Sequence, residues 1–358
     1  MPEIRHALVT LPWQGEALDR IKRALAPAEV VCAHRFDVPR ISRALRQADV
    51  AILAGDLDDR VLQAPLLKWV HCGHAGLDRS ARPEVFERGL LLTSAAGRSA
   101  PALAEHAMFF MLALSFRYGH LYKAQLAHRW GVSGQGGLSA LYGKTLGIVG
   151  LGHTGVELAK RAKAFGMRVL AYRRRPDAVQ EVDRLYSADR GEPLGGLLEE
   201  SDYVVLALPL SDQTNRLIGA GELAHMRPGA HLVNIARGGL VDEQALLDAL
   251  QSGRLAGAAI DVAEHEPLPS DHPLWDAPNL LITPHVTPQM PDRDGRALDI
   301  LLENIRRYRE GEQLLNQLMP DDQFSQQPGP GAAKSAGAGF VYRSNRFARR
   351  LLHRWRTR

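Results

Sequence analysis

The chain has 358 residues, 45% hydrophobic and 23% charged, with 33 glycines and 21 prolines. This globular composition is long enough for two domains and lies outside the disordered and collagenous classes. Two cysteines, Cys32 and Cys72, are too few for a disulfide framework, and the net charge of +4 is uneven: residues 320–358 carry eight cations against Asp321 and Asp322, which leaves 1–319 at −2, with no electrostatic case for nucleic-acid binding by the body.

In chain order, the opening MPEIRHALVT lacks a basic-then-apolar leader. The longest apolar run, Ala107–Leu114, is eight residues, against the roughly 18 that a membrane helix needs. With so few cysteines, this predicts a cytoplasmic protein. HALVTLP, EVVCAH, DVAILAG, LKWVHCG and LLLTSAAG read as buried strands, separated by the helical segments LDRIKRALA, ISRALRQA, DDRVLQAP and RPEVFERG. That alternation predicts a parallel sheet covered by helices. Ala102–Trp130 then reads as one long helix, apolar around its whole circumference in its first half. Such a helix belongs in a core or across a subunit interface. A second βαβ series follows, with strands LGIVGLG, RVLAY, SDYVVLALP, AHLVNIA, AGAAIDV and NLLITPH. From about Asp292 a helix, DGRALDILLENIRRYREGE, runs back toward the N-terminal half, and FSQQPGPGAAKSAGAG reads as a flexible linker.

Gly150-Leu-Gly152-His153-Thr154-Gly155 sits between the strand LGIV and the helix GVELAKRAKAF, the context a dinucleotide fingerprint requires. The first glycine allows the tight turn, the second lets backbone approach a pyrophosphate, and the third lets helix pack on strand. An NAD fold carries Asp or Glu at the end of the next strand, for the ribose 2′-hydroxyl. Here that strand ends Tyr172-Arg173-Arg174-Arg175, and guanidiniums suit the 2′-phosphate of NADP. NADP(H) is therefore expected over NAD(H). The alternative is a solvated basic turn, with Asp177 reaching back to serve NAD across a stretch that Pro176 stiffens.

Three later strands end in reactive residues: Asn234-Ile-Ala-Arg237, Ile260-Asp261-Val-Ala-Glu264-His-Glu266-Pro and Thr283-Pro-His285. In a doubly wound sheet these ends line the ligand crevice. A cation, a carboxylate and a histidine there are what reduction of a 2-oxo acid needs: an anchor for the carboxylate, a proton donor for the developing alkoxide, and a carboxylate to orient the donor.

These runs, with GIVGLGHTGVELAKRAKAFGM, LPLSDQTNRLIG and LVNIARGGLVDEQALLDAL, resemble the D-isomer-specific 2-hydroxyacid dehydrogenases over about residues 45–318. The resemblance implies two doubly wound domains, a Rossmann domain at 99–287 and a discontinuous flavodoxin-like substrate domain at 1–98 plus 288–319; the flexible basic tail at 320–358 is read from composition alone, and after Asp322 it has no counterpart in the family pattern. The resemblance implies Arg237 as the substrate-carboxylate arginine, Glu266 as the carboxylate behind the histidine and His285 as the acid/base; Glu264 is passed over because the family's glutamate directly precedes the proline. It also implies that Gly150, Gly152, His153, Thr154, Gly155, Arg173, Arg174, Pro209, Thr214, Ile235, Ala236 and Asp261 line the cofactor. Ala75 and Gly76, in the loop Gly73–Asp78, would hold the substrate carboxylate beside Arg237. A homodimer built through the long helix is the family's usual assembly. Arg173, where the family more often has Asp, resembles the NADP-using glyoxylate and hydroxypyruvate reductases.

The expected activity is thus NADPH-preferring reduction of a small 2-oxo acid, glyoxylate- or hydroxypyruvate-like, to the D-2-hydroxy acid. The alternative is a dinucleotide-sensing, corepressor-like protein using its basic tail as an interaction arm. No metal site is expected, because His71, Cys72 and His74 need partners elsewhere. In the tail, Phe347, Leu351 and Trp355 recur at i, i+4 and i+8 among arginines. That pattern suits a basic amphipathic helix on anionic lipid or nucleic acid, or an extension with little function.

Overall fold

The structure is a computed structural model that describes residues 3–131, 137–286 and 289–326. Five strands form a parallel sheet in the order β2-β1-β3-β4-β5: β1 (His6–Val9), β2 (Glu29–Cys32), β3 (Val50–Leu53), β4 (Trp69–Cys72) and β5 (Leu91–Ser94). Seven more form a second parallel sheet in the order β12-β11-β10-β9-β6-β7-β8. These are β6 (Thr145–Val149), β7 (Arg168–Arg173), β8 (Arg184–Ser187), β9 (Tyr203–Leu206), β10 (His231–Asn234), β11 (Gly257–Ile260) and β12 (Leu280–Ile282). Both sheets lie in a unit that ends at Ser325.

The near-continuous apolar strands follow from coverage on both faces. In β1, Leu8 packs into one core while Ala7 and Val9 pack into the other; in β9, Val204 and Leu206 face one core, Tyr203 and Val205 the opposite one. The last helix, Arg293–Glu310, returns to the first sheet and buries Leu298, Leu301, Ile305 and Tyr308 beside Ile21 and Trp69.

Two expectations need correction. The continuous helix over Ala102–Trp130 is instead two helices, Ala100–Ser115 and Tyr118–Leu126. Arg117 between them takes a left-handed backbone, φ 46°, and the Arg117 N–H bonds back three residues to the Leu114 carbonyl, which closes the first helix. Within one chain the apolar first half is buried except along the face of Glu105 and Phe109, which leaves the subunit-interface reading open, and the second half is more exposed. Phe109, Phe116, Tyr118, Tyr122 and Leu126 are exposed, and Trp130 is fully so. In addition, β8 has no counterpart among the expected strands. Its four residues, RLYS, pair with β7 at the sheet edge, and Arg184 stacks over Tyr186 and pairs with Glu200.

No described helix is long and apolar enough to cross a membrane. The segment holding Phe347, Leu351 and Trp355 lies outside the described residues.

Candidate active site

At the end of β6, Gly150 has φ +102°, and a Cβ there would stand 2.7 Å from the Ala207 carbonyl carbon. Left-handed backbone and close approach both require glycine. Gly155 lets the helix His153–Ala164 lie on this turn, since its Cβ would meet the Gly150 carbonyl oxygen at 2.3 Å. Gly152, by contrast, faces open space. It precedes a helix whose first N–H groups lack intrahelical partners, a cradle that fits a dinucleotide's pyrophosphate. The His153 side chain turns away from the cradle, with Nε2 2.9 Å from Asn316 Oδ1, while Thr154 is half-buried. On the neighbouring loop, the Thr214 hydroxyl donates to the Pro209 carbonyl at 2.9 Å and accepts from Ser211 N–H at 2.8 Å, bracing the turn after β9.

β7 runs beside β6 in a register that pairs Val149 with Tyr172, so Arg173 emerges next to the glycine turn. Its Nη2 lies 3.8 Å from Asp177 Oδ2, and its Nη1 donates to the Asp177 carbonyl at 3.4 Å. Asp177 does fold back across Pro176, but onto Arg173. The Arg174 guanidinium lies 3.3 Å from Asp321 and 3.4 Å from Asp322.

β10, β11 and β12 are in register at Asn234, Ile260 and Ile282, so the residues that follow them emerge along one edge. Ile235 is buried and Ala236 half-buried there, next to Arg237. Asn234 shapes that turn: its amide donates to the Arg237 carbonyl at 2.8 Å and accepts from Ala236 N–H at 3.0 Å. The guanidinium crosses to the first sheet's loop, where Nε donates to Asp78 Oδ1 at 2.6 Å and Nη2 lies 3.5 Å from the Ala75 carbonyl. Nη1 donates to the Ala236 carbonyl at 2.7 Å. A Cβ on Gly76 would fall 1.3 Å from Nη2, so the guanidinium rests on the space that glycine leaves.

His285, at φ 50°, is held by a bond from its N–H to the Asp261 carbonyl at 2.7 Å. Its Nδ1 lies 2.7 Å from Glu266 Oε2. This hydrogen bond raises the imidazole pKa above its ordinary value; burial and the Arg237 charge oppose it. Burial works to raise the Glu266 carboxyl, but the His285 hydrogen bond and charge, with the Ala263 N–H, hold it below the usual range. Glu264 pairs elsewhere, with Arg216 at 3.4 Å.

Asp261 is almost fully buried, and desolvation raises its pKa against the bonds it accepts from the Thr283 hydroxyl (2.6 Å) and Val286 N–H (2.9 Å). His106 Nδ1 stands 3.9 Å from the other Asp261 oxygen. Desolvation likewise lowers the His106 pKa, so both groups are biased toward their neutral forms.

Sequence alone assigns no role to Asn234, Asp78, Thr283 or His106. For Asn234 the one signal is a polar residue closing the apolar strand HLVN; the others are marked only by distant contacts. His71 bonds Thr93 at 3.0 Å, and burial lowers its pKa to about 3. Among the described residues no three of His, Cys, Asp and Glu are grouped to hold a metal ion. A cavity of about 840 Å³, lined by Lys144, Tyr203 and His231 among others, sits at the opposite, N-terminal ends of the second sheet's strands and contains none of the predicted residues.

A family model described as D-isomer specific 2-hydroxyacid dehydrogenase, NAD binding domain, matches residues 108–287. The chain is similar to a glyoxylate reductase of Korarchaeum cryptofilum, at 36% identity over 74% of this chain and 80% of that one. Among solved structures it is similar to a D-isomer specific 2-hydroxyacid dehydrogenase from Xanthobacter autotrophicus Py2 in complex with NADPH and MES. The TM-score is 0.73 and the identity 29%, over 88% of this chain and 98% of that one. It is also similar to a glyoxylate reductase from Paecilomyes thermophila, with a TM-score of 0.72 and 27% identity over 89% and 99% of the two chains.

Proposed function

The chain belongs to the D-isomer specific 2-hydroxyacid dehydrogenase family, and from that premise we propose that it reduces a small 2-oxo acid, glyoxylate or hydroxypyruvate foremost, to the D-2-hydroxy acid with NADPH preferred over NADH. One contact carries this: His285 Nδ1 at 2.7 Å from Glu266, beside Arg237, at strand ends level with the glycine cradle. Gly150, Gly152 and Gly155, with the N–H groups of His153 and Thr154, hold the pyrophosphate. Pro209, Thr214, Ile235, Ala236 and Asp261 line the rest of the cofactor site, and Arg173 and Arg174 meet its 2′ end.

A nicotinamide dinucleotide, when bound, supplies the hydride. Arg237, whose Nη1 and Nε are taken by protein acceptors, offers its Nη2 edge to the substrate carboxylate, joined by the N–H groups of Ala75 and Gly76. Protonated His285 gives its Nε2 proton to the oxygen on which charge develops. Glu266 keeps the proton-bearing Nδ1 in place and stabilises the imidazolium. The relatives' glyoxylate reductase names support glyoxylate, and the guanidiniums after β7 support NADPH. We assign the first sheet to a substrate domain (1–98 with 288–319) and the second to a cofactor domain (99–287). The exposed aromatics of the helices Ala100–Ser115 and Tyr118–Leu126 suit a homodimer contact, and a cytoplasmic setting fits the cysteine content. No observation favours the sensing alternative.

Absorbance at 340 nm tests this with glyoxylate, hydroxypyruvate, pyruvate and phenylpyruvate, each with NADPH and NADH. Turnover fastest with NADPH and one of the first two substrates is expected. Silence with every pair, in protein that binds NADPH, would overturn the reductase.

A further inference from the structure

The residues that follow the last helix do not leave the body at once. Leu318 N–H bonds the Leu92 carbonyl at 2.9 Å, and Phe324 N–H bonds the Ala81 carbonyl at 2.8 Å. Phe324 buries its ring in a core of the second sheet. On either side of it, the Gln323 carbonyl accepts from Asp212 N–H at 2.8 Å, and the Ser325 N–H and hydroxyl both donate to Asp212 Oδ1 at 2.9 Å. This strap fixes the short turn Pro320–Asp322 against the arginine turn after β7. Asp322 is fixed further, since its Oδ2 accepts Met319 N–H at 2.9 Å. Two carboxylates, on Asp321 and Asp322, are thereby held on the Arg174 guanidinium.

We propose that Asp321 and Asp322 are cofactor-specificity determinants: an internal anion that occupies Arg174 and competes with the 2′-phosphate of NADP(H), leaving Arg173 as the guanidinium more available to that phosphate. This deepens the reading of the arginine turn as the 2′ subsite and rests on it. The physical grounds are charge and exposure. A phosphate approaching Arg174 meets two carboxylates already there, and like charges repel within a Debye length, about 8–10 Å at physiological ionic strength. Arg174 and Asp321 are both solvent-exposed, so that pair is weak enough to exchange, while the less exposed Asp322 is held in place by the Met319 N–H. The ribose 2′-hydroxyl of NAD(H) carries no charge and is insensitive to them. The strap thus narrows the NADPH preference that three successive arginines would otherwise impose.

The test is a binding titration without substrate, using adenosine 2′,5′-bisphosphate and 5′-AMP as probes of the 2′ subsite. In Asp321→Asn/Asp322→Asn the bisphosphate is expected to bind about three- to tenfold tighter, with 5′-AMP unchanged. Asp321→Asn alone, which leaves the Met319 contact intact, should show a smaller shift in the same direction. Adding Arg174→Ala should abolish the gain. No tightening, weaker bisphosphate binding, or equal tightening of both probes would overturn the proposal. The 2′-subsite reading is checked separately with Arg173→Ala/Arg174→Ala. If the bisphosphate keeps its advantage over 5′-AMP there, the subsite itself is misplaced. If that advantage disappears while the carboxylate variants change nothing, the subsite stands and the competing-anion proposal alone fails.

Discussion

The crevice around His285 and the arginine turn after β7 both concentrate charge, and they treat it in opposite ways. In the crevice each working group has a directed partner: Glu266 on His285 Nδ1, Asp78 on Arg237 Nε, Asn234 on the Arg237 carbonyl. Of the strands that deliver them, β11 is fully buried, β10 nearly so and β12 half-buried at the sheet edge, and all three are paired in register, so the positions of these groups are inherited from the sheet. At the turn, Arg174 is exposed, and Arg173 and Arg174 are paired at 3.3–3.8 Å with side chains of Asp177, Asp321 and Asp322. A group that must stand within a few tenths of an ångström of a reacting atom needs neighbours that hold it. A group that recognises a mobile dianion needs partners it can release.

Several variants sharpen the contrast, beginning with the crevice. His285→Ala should lower kcat by about 10²–10⁴-fold while NADPH binding, followed by nucleotide fluorescence, stays nearly unchanged. Unaltered turnover would remove His285 from the chemistry. Arg237→Lys keeps the charge but loses the planar fork held by Asp78 and the Ala236 carbonyl; kcat/KM for the 2-oxo acid should fall about 10- to 100-fold.

Glu266→Gln separates orientation from charge. Glu266 raises the His285 pKa, and the proposed reduction draws on protonated His285, so activity should fall as pH rises through that raised pKa. In the glutamine variant the falling limb of the kcat/KM profile should move to lower pH, toward the ordinary histidine value. An unmoved limb would mean that another group sets it. The same pair links pH to stability. The His285 contribution is complete below the ordinary histidine pKa and is lost as pH rises through the raised, folded value. The Glu266 contribution is present above the ordinary carboxylate pKa and is lost as pH falls through its depressed value.

At the turn the expected effects are smaller and confined to one cofactor. Arg173→Ala should raise the KM for NADPH about five- to tenfold and change that for NADH less than about twofold. Equal effects on both would deny the turn its role in reading the 2′ position.

The two parallel sheets were legible from the sequence because strands buried on both faces must be continuously apolar and the intervening helices amphipathic. HALV, VAIL, TLGIV and YVVL satisfy that at once. The glycine turn was legible for a related reason: Gly150 and Gly155 stand where any Cβ would strike backbone. The adjacency of Glu266 and His285 could be expected only through motif order, since 19 residues separate them and it is the pairing of β11 with β12 that sets the two loops side by side. Lone spacing had nothing to say about Asp78 on Arg237, 159 residues apart, or about Asp321 and Asp322 on Arg174, because such contacts depend on where whole elements come to rest. The break at Arg117 was hidden in the same way: an apolar run reads as continuous helix until one residue takes a left-handed backbone. Local pattern therefore determined most of the elements, though not β8 or the helix break, together with the cofactor turn and the reactive residue types. Beyond the Glu266–His285 pair that motif order suggested, tertiary structure alone decided which distant charges meet, because charge pairing acts through space between segments whose separation along the chain carries no record of it.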